Sequence, residues 1–316
     1  METKTKYRIR NWSQYNRSLV QRGSINIWFS EDSVKKWNAS SKQKKKGRPY
    51  SYSDDAILTG LLIKSVFHLP LRGLQGFLLS IVGMMNLSLS IPCYTQISRR
   101  SKSLGKKLLR FSRKNITDLV IDSTGLKVYG EGEWKVRQHG YSKRRTWRKL
   151  HLAVCPDSGE IFSEILTDNA VADSQVFPQL IEKPPKNLKR TYGDGAYDKK
   201  TCYYASDQHG IKHITPPQKN AVFKPNAPGW MRNRNDAISA IFALGNDAIA
   251  RKIWKVLIGY HRRSLAETAM FRFKQLFGGT LTSRLLSTQQ AEVRAKCIAL
   301  NKITSLGMPI GEWIAC

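Results

Sequence analysis

Four side chains in the last quarter of the chain have residue types and spacing that suit chemistry at a phosphate. They are separated by three, four and seven residues, so at about 100° per residue they fall in one stripe of an α-helix. A carboxylate held on a rigid helix between two cations and a phenol could bind a metal ion while its neighbours hold a phosphate. The four residues are Tyr260, Arg263, Glu267 and Lys274.

The element that must position them is a helix predicted over residues 260–274. Its opposite side carries Leu265, Ala269 and Phe273, which predicts a surface that packs on the core. A second interpretation of the same segment stays open. Ser264 and Glu267 also fit a capping box, in which Glu267 would only bond a free backbone N–H where a helix starts.

Two further acids close segments that the pattern predicts to be buried strands, Leu119–Asp122 and Thr191–Asp194. Acids at the carboxyl ends of neighbouring strands can meet at one edge of a mixed α/β sheet. Together with Glu267, Asp122 and Asp194 would form a hard oxygen site of the kind that binds Mg²⁺ or Mn²⁺. Two such ions about 4 Å apart can drive an in-line phosphoryl displacement.

These acids could instead serve a structural role or a different reaction. Taken singly, an Asp in such a position can be a turn or cap residue, and Asp198, four residues after Asp194, is assigned to that class. Paired carboxylates could also hydrolyse a glycoside. A formal charge of +30, however, gives a neutral sugar no reason to bind.

The charge balance is the strongest compositional feature of this chain of 316 residues. Against 23 acidic residues stand 53 basic ones, an excess that favours a polyanion, and above all nucleic acid, as the partner. The five scattered cysteines lack metal-ligand spacing and fit a reducing, cytoplasmic compartment. The sequence has neither the apolar run of a signal peptide nor an uninterrupted apolar segment of membrane length, which predicts a soluble protein without a membrane partner.

Residues 1–50 are predicted to form a basic arm. The arm ends in a run that contains Lys-Gly-Arg-Pro, with Arg48 as its arginine. Such a core can lie in a narrow minor groove with the arginine inserted towards the bases. A flexible basic linker is the alternative.

Residues 51–115 are predicted to form a helical DNA-binding region. Three short helices follow one another, and the third, predicted over Thr95–Leu109, carries Arg99 and Arg100. A basic third helix suits a helix-turn-helix reader that enters the major groove. It also suits an amphipathic helix that packs on the next domain.

Residues 116–280 have the pattern of a mixed sheet with helices on its faces. Strands are predicted at 119–122, 133–139, 149–155, 161–166 and 191–194, and a helix at 174–182. Residues 199–255 are predicted to be a less regular insertion, in which Trp230 and Trp254 either stack a base or pack in an ordinary interior. Residues 281–316 are predicted to supply a last helix that packs on the core.

Three motifs in order give the chain a resemblance to a known family. They are Val120-Ile-Asp122-Ser-Thr-Gly-Leu-Lys127, Gly193-Asp194-Gly-Ala-Tyr-Asp198 and Tyr260-x2-Arg263-x3-Glu267-x6-Lys274. On these motifs the sequence resembles the DDE transposases of bacterial insertion sequences, in the insertion sequence five family, and is most similar to the insertion sequence 903 subgroup. The similarity extends over most of the chain, and the third motif matches the family's Y-R-E-K signature without a gap.

The resemblance implies a ribonuclease H-like catalytic core preceded by a helical DNA-binding region. It implies Asp122, Asp194 and Glu267 as catalytic metal ligands, with Mg²⁺ as the cofactor and Mn²⁺ as its substitute. It makes Tyr260, Arg263 and Lys274 DNA contacts near the scissile phosphate, in agreement with their shared face.

The activity expected from this resemblance is cleavage at the element ends and joining of the 3′-OH ends to target DNA. At least a dimer on double-stranded DNA is expected, in the nucleoid of a bacterial cytoplasm. A metal-dependent nuclease of the same fold and a non-catalytic DNA-binding regulator stay open as alternatives. Further basic residues are expected to clamp the DNA backbone, namely Lys135, Arg137, Arg144, Arg145 and Arg148.

Overall fold

The computed structural model of the chain describes residues 5–39, 49–104, 115–128 and 147–315. Several sequence predictions fall outside these residues: the strand at 133–139 and the DNA contacts Arg48, Lys135, Arg137, Arg144 and Arg145.

The helices and strands follow one another along the chain as β1 (Thr5–Ile9), α1 (Trp12–Gln21), α2 (Ile25–Trp28), α3 (Glu31–Lys35), α4 (Asp54–Val66), α5 (Leu71–Met84), α6 (Tyr94–Leu104), β2 (Asp118–Val128), β3 (Trp147–Val154), β4 (Ile161–Asp168), α7 (Asp173–Leu180), β5 (Arg190–Tyr192), α8 (Lys200–Asp207), β6 (Lys212–Ile214), α9 (Arg232–Ala243), α10 (Ala248–Leu257), α11 (Ser264–Phe277), β7 (Thr280–Leu281), α12 (Leu286–Leu306) and β8 (Gly311–Ala315). Short 3₁₀ turns lie at Gly195–Tyr197, Gly229–Met231 and Tyr260–Arg263. By contacts between residues, the chain separates into two units, residues 1–106 with 295–316 and residues 107–294.

The helices α4, α5 and α6 of the first unit confirm the predicted three-helix pattern. The Ser53 hydroxyl accepts a hydrogen bond from the N–H of Ala56 at 3.0 Å, so it caps α4 as predicted. Buried residues lie around most of α4, because a helix that is apolar on nearly all sides must lie inside its unit. Among the described residues, no single helix has the length and apolarity to cross a membrane. The pair α4 and α5 meets that composition only when taken together, across a bend of 109°.

The two ends of the described chain pair with each other in the first unit. β1 and β8 form an antiparallel two-stranded sheet in which Arg8 lies opposite Glu312. The Asn11 side chain fixes the approach to this sheet, because it donates to the carbonyl of Met308 at 2.9 Å and accepts from the N–H of Ile310 at 2.8 Å. The sequence prediction for residues 281–316 contained the helix but not this strand.

The second unit is built on a mixed sheet with strand order β4-β3-β2-β5-β6, and β7 also pairs with β2. β2, β3 and β4 are antiparallel neighbours, whereas β5 and β6 run parallel to β2. Parallel neighbours need crossover connections, and α7 and α8 supply them before β5 and β6. This is the ribonuclease H-like α/β arrangement that the resemblance predicted, so the predicted fold class is confirmed.

Each face of β2 has a different partner. Leu119 and Ile121 point into an apolar core that α7 fills with Phe177 and Leu180. Asp122, one residue on, points to the opposite face because successive strand residues alternate, and α11 packs against β2 and β3. β2 therefore separates a purely structural face from the face that carries the acid.

The predicted irregular insertion at 199–255 contains regular elements. It holds α8, α9, α10 and β6, and β6 pairs with β5 as the outer strand of the sheet. β6 has only three residues, Lys212–Ile214, which is too short to display a strand period. The sheet therefore extends further along the chain than its sequence pattern indicates.

His213 on β6 makes the stability of the second unit sensitive to acid. Burial lowers the pKa of this imidazole to about 4, so the unfolded chain binds a proton that the folded chain rejects. The stability that His213 contributes is present above about pH 6.5 and is lost as the pH falls towards 4, by roughly 3 kcal/mol at most. We expect His213→Asn to flatten the slope of unfolding free energy against pH in this window. An unchanged slope, measured by urea denaturation at several pH values, would contradict this expectation.

Candidate active site

Adjacent strands bring Asp122 and Asp194 to matching positions. Val120 on β2 pairs with Tyr192 on β5, and each acid lies two residues beyond its paired residue, so both leave the same end of the parallel ladder. Asp122 does not end β2, however, because β3 pairs with that strand as far as Lys127. The prediction that Asp122 ends a strand is thus wrong, and only its parallel neighbour stops there.

The segment around Asp194 is shaped by a short turn and by a glycine. Asp194 Oδ1 accepts from the N–H of Ala196 at 2.9 Å and so caps the 3₁₀ turn that follows β5. A Cβ on Gly193 would lie 2.9 Å from the ring of Tyr197, so no larger residue fits without a shift. The carbonyl of Gly193 accepts from the hydroxyl of Tyr260 at 3.0 Å. The start of the Y-R-E-K segment is thereby bonded directly beside Asp194.

The Y-R-E-K segment is not one α-helix. Tyr260–Arg263 is a 3₁₀ turn that follows Gly259 in the left-handed region at φ 65°, and α11 begins only at Ser264. The left-handed residue after α10 favours glycine. The buried side of α11 is centred on Ala266 and Phe273, which leaves Leu265 at its margin, 37% exposed. Leu265 was wrongly predicted to face the core.

Arg263 connects two of the three acids. Its Nη2 donates to Asp122 Oδ2 at 2.8 Å, and its Nη1 donates to Glu267 Oε1 one helical turn away. The predicted capping box is absent here, because the Ser264 hydroxyl donates to the carbonyl of His261 at 2.8 Å and α11 has no side-chain cap bond. Glu267 is therefore engaged in an ion pair and does not cap the start of α11.

The three acids influence one another electrostatically. Burial raises the pKa of Asp122 most, Arg263 and the Ser123 N–H lower it, and the charges of Asp194 and Glu267 raise it again, with a net upward shift. Burial also raises the pKa of Tyr260 to about 12, with the same three acids adding to the shift. The charges of Asp194 and Glu267 thus both disfavour the charged form of Asp122, and a cation beside Asp122 favours it.

The chemistry of these oxygens fits a divalent ion, but their present arrangement does not hold one. Among the described residues, no group of three or more His, Cys, Asp and Glu side chains is placed to bind a metal. The guanidinium of Arg263 pairs with an oxygen of Asp122 and an oxygen of Glu267, and a metal ion at these acids would compete with it for those oxygens.

A second set of charges, missed in the sequence, fixes the 3₁₀ turn. Asp118 is buried at the start of β2, where it accepts two bonds from Arg190, at 2.7 and 2.9 Å, and another from Arg262. Arg262 also binds Asp157. An acid at the start of a predicted buried strand was the available signal, because a buried carboxylate needs a partner. This network holds the residue next to Arg263 against the sheet.

Asp198 was also misjudged from the sequence. It is 6% exposed and accepts from the hydroxyl of Tyr203 at 3.1 Å, the N–H of Gln218 at 3.0 Å and the Nε of Arg234 at 2.8 Å. A role confined to one turn is therefore wrong. Asp198 joins α8, the Pro-rich loop after β6 and α9 in one buried polar cluster.

Arg148, one of the predicted DNA contacts, already has protein partners. Arg148 on β3 binds Asp168 and donates to Gln289 Oε1 at 2.9 Å. Of the two tryptophans that could have stacked a base, Trp254 is 5% exposed and packs in the interior, and Trp230 meets the ring of Tyr204 edge-on. Lys274 is exposed on α11, seven residues after Glu267.

Arg99 and Arg100 are adjacent on α6 but differ in their surroundings. Arg100 is 8% exposed, donates to Asp54 Oδ1 at 2.7 Å and to the carbonyl of Tyr52 at 2.8 Å, and lies over the ring of Tyr50. Arg100 is therefore a structural residue of the first unit, and its prediction as a DNA contact is wrong. Arg99 is exposed.

This difference predicts opposite effects for the two substitutions. Arg100→Ala should lower the free energy of unfolding by about 2–3 kcal/mol, because Asp54 and a carbonyl lose their donor. Arg99→Ala should leave stability within about 0.5 kcal/mol of the parent. It should weaken DNA binding and reduce the salt slope of the affinity by about one. Denaturant melts and DNA titrations at several salt concentrations test both, and equal stability losses would contradict the assignment.

Comparison with known proteins identifies the family of this chain. Two family models, both described as "Transposase DDE domain", match residues 20–131 and 113–302, and the second alone spans more than half of the chain. Among solved structures, the chain is similar to the catalytic core domain of BIV integrase, with 12% sequence identity, a TM-score of 0.22 and coverage of 51% of this chain and 85% of that one. The fold assignment rests on the strand order described above. The match over residues 113–302 includes Asp122, Asp194 and Glu267, and the chain therefore belongs to the transposase DDE domain family.

Proposed function

We propose that the protein is the transposase of a bacterial insertion sequence, related to the insertion sequence 903 subgroup of the insertion sequence five family. It binds the terminal inverted repeats of its element, cleaves there and joins the 3′-OH ends to target DNA. The observation that carries the proposal is the meeting of Asp122 and Glu267 at Arg263, with Asp194 in the matching position on β5. The chain belongs to the transposase DDE domain family, and this membership supports a role for the three acids in DNA cleavage and joining.

The three acids are proposed as the ligands of divalent metal ions, which enzymes of this family use. Mg²⁺ is the proposed ion, and Mn²⁺ is expected to replace it, because all three donors are hard oxygens. Bound there, the ions would activate the attacking oxygen and stabilise the leaving oxygen of an in-line displacement. No protein nucleophile is needed for either step.

The remaining residues of the site are proposed to hold the DNA. Arg263 offers a planar fork that matches a phosphate, and Lys274 offers an exposed charge on the same helix. Tyr260, whose hydroxyl donates to Gly193, holds the turn beside Asp194. The charge of +30 supports DNA as the partner, and binding is expected to weaken with salt by a log–log slope of roughly 0.9 for each phosphate contacted.

The helical region before the core, with Arg99 and the basic arm, is proposed to recognise the element ends. Joining two ends to one target requires both ends in one complex, so at least a homodimer on DNA is expected. The proposed division of labour is 1–50 as arm, 51–115 for end binding, 116–280 for catalysis and 281–316 as the C-terminal segment.

The test is a strand-transfer assay. Purified protein is incubated with a labelled duplex of its own terminal inverted repeat, a supercoiled target plasmid and Mg²⁺. Labelled plasmid is the expected product, and its formation should require the divalent ion. Cleaved ends without joined plasmid would favour a nuclease of the same fold. Binding without cleavage under all metal conditions would favour a regulator.

A further inference from the structure

The space between Asp122 and Glu267 is taken by a guanidinium. Arg263 binds Asp122 at 2.8 Å through Nη2 and Glu267 through Nη1. Its third nitrogen, Nε, is buried, and the N–H there has no hydrogen-bond partner among the described residues. The side chain of Arg263 is 20% exposed, so solvent and solutes reach part of the group. Arg263 is thus held through its two terminal nitrogens while the N–H of Nε stays unused.

We propose that Arg263 is a displaceable internal counterion that competes with a divalent cation for Asp122 and Glu267. A DNA phosphate that takes up this guanidinium opens the acids to the metal. The inference rests on the proposed function and adds an order of events to it. In the DNA-free protein Asp122 and Glu267 share one guanidinium as their counterion, and the metal binds tightly only when DNA is present.

Competition follows from the atoms involved. A carboxylate oxygen that accepts a charged hydrogen bond from Arg263 has that lone pair directed at the guanidinium, so the same lone pair cannot be given to a metal. The two ion pairs use Asp122 Oδ2 and Glu267 Oε1, whereas Asp122 Oδ1 accepts from the Ser123 N–H at 2.9 Å. Each oxygen of Asp122 therefore already accepts one hydrogen bond, and Oδ2 accepts the charged one that a cation would have to replace.

A phosphate is a suitable acceptor for the released side chain. Arginine binds phosphate through two parallel N–H donors, and Arg263 stands where the 3₁₀ turn meets α11, with the exposed Lys274 farther along that helix. Arg262, the preceding residue, is bound to Asp118 and Asp157 and anchors the turn. The guanidinium can therefore change partner while the backbone that carries it stays fixed.

Such competition makes metal and DNA binding mutually supportive. If DNA raises metal affinity by a given factor, linkage requires that the metal raise DNA affinity by the same factor. Couplings between sites are typically about 5- to 150-fold, and we expect about tenfold here. The protein alone would then be a poor metal binder.

The experiment measures Mn²⁺ binding to the full chain by electron paramagnetic resonance of the free ion, with and without a duplex of the element end. Arg263→Gln should raise Mn²⁺ affinity of the DNA-free protein by about tenfold. The duplex should raise the affinity of the unmodified protein by a similar factor but that of Arg263→Gln by less than about twofold. Arg263→Lys keeps the positive charge but lacks the planar guanidinium with its parallel N–H donors. Its Mn²⁺ affinity without DNA should lie between that of the unmodified protein and that of Arg263→Gln.

Lys186→Gln is the control for the loss of one positive charge, because Lys186 is exposed in the segment that leads into β5, at the end of that strand away from Asp194. It should leave Mn²⁺ affinity unchanged, and thermal melts establish that each variant is folded. If folded Arg263→Gln binds Mn²⁺ no more tightly than the unmodified protein does without DNA, the proposal is overturned. This holds even where weaker Mn²⁺ binding by Asp122→Asn shows that the acids hold the ion. If Asp122→Asn in the Arg263→Gln background leaves Mn²⁺ binding intact, the ion is not at these acids, and the proposed metal site itself fails.

Discussion

Asp122→Asn should reduce DNA cleavage and strand transfer by at least about 10³-fold, which corresponds to about 4 kcal/mol of transition-state stabilisation. Asparagine preserves the shape of the side chain but removes the charge that a divalent cation needs. The residue sits inside a strand that has partners on both sides, so the backbone that carries it cannot shift to bring another residue of the strand into its place. Single-turnover cleavage of a labelled element end measures the effect.

The same substitution should spare DNA binding and stability. Burial raises the pKa of Asp122, so the fold disfavours its charge, and a neutral side chain relieves repulsion with Asp194 and Glu267. We expect the free energy of unfolding to change by less than about 1 kcal/mol. Asp157→Asn, at an exposed partner of Arg262, is the control and should keep activity within about twofold. Asp122→Asn with more than a tenth of the parent activity would remove this residue from the catalytic group.

Asp198→Ala should destabilise the second unit by about 3–5 kcal/mol, the largest stability loss we expect from a single substitution in that unit. The carboxylate is fully buried and pairs with Arg234, whose side chain is 15% exposed. Its removal leaves that guanidinium, the hydroxyl of Tyr203 and the N–H of Gln218 without their acceptor. The midpoint of urea denaturation reports the loss.

Two further variants identify the cause of this loss. Asp198→Asn keeps a hydrogen-bond acceptor but not the charge, so it should lower the free energy of unfolding by less than Asp198→Ala does. Asp168→Ala removes the 57% exposed partner of Arg148 and should cost less than about 1 kcal/mol, because exposed ion pairs contribute little. Similar losses in Asp198→Ala and Asp168→Ala would show that burial of the pair does not matter here.

The parts of the site that could be predicted from the sequence are those fixed by local pattern. Apolar runs located β2, which carries Asp122, and β5, which ends two residues before Asp194. The spacing of Tyr260, Arg263 and Glu267 grouped these residues, although a 3₁₀ turn precedes α11 in place of one continuous helix. Ser53 could be assigned as a cap because the residues that follow it have a helical period. In each case the signal lies within a few residues of the feature.

The features that escaped prediction depend on contacts between distant segments. The length of β2 beyond Asp122 is set by β3, and β6 is recognisable only beside β5. Arg100 differs from Arg99 because Asp54, 46 residues earlier in the chain, lies against it. No local pattern separates two adjacent arginines of one helix, one of which is buried by its partners.

The pairing of β1 with β8 has a consequence for how the chain reaches its final form. Arg8 and Glu312 are opposite each other although they are more than 300 residues apart in sequence. During synthesis, β1 leaves the ribosome long before its partner exists, so this ladder can close only after almost all of the polypeptide has emerged. Bringing such distant segments together carries a large loop-closure entropy, and contacts of this separation form late. A fusion or truncation that disturbs Gly311–Ala315 would therefore leave β1 as an exposed, unpaired edge, open to strand addition by another chain.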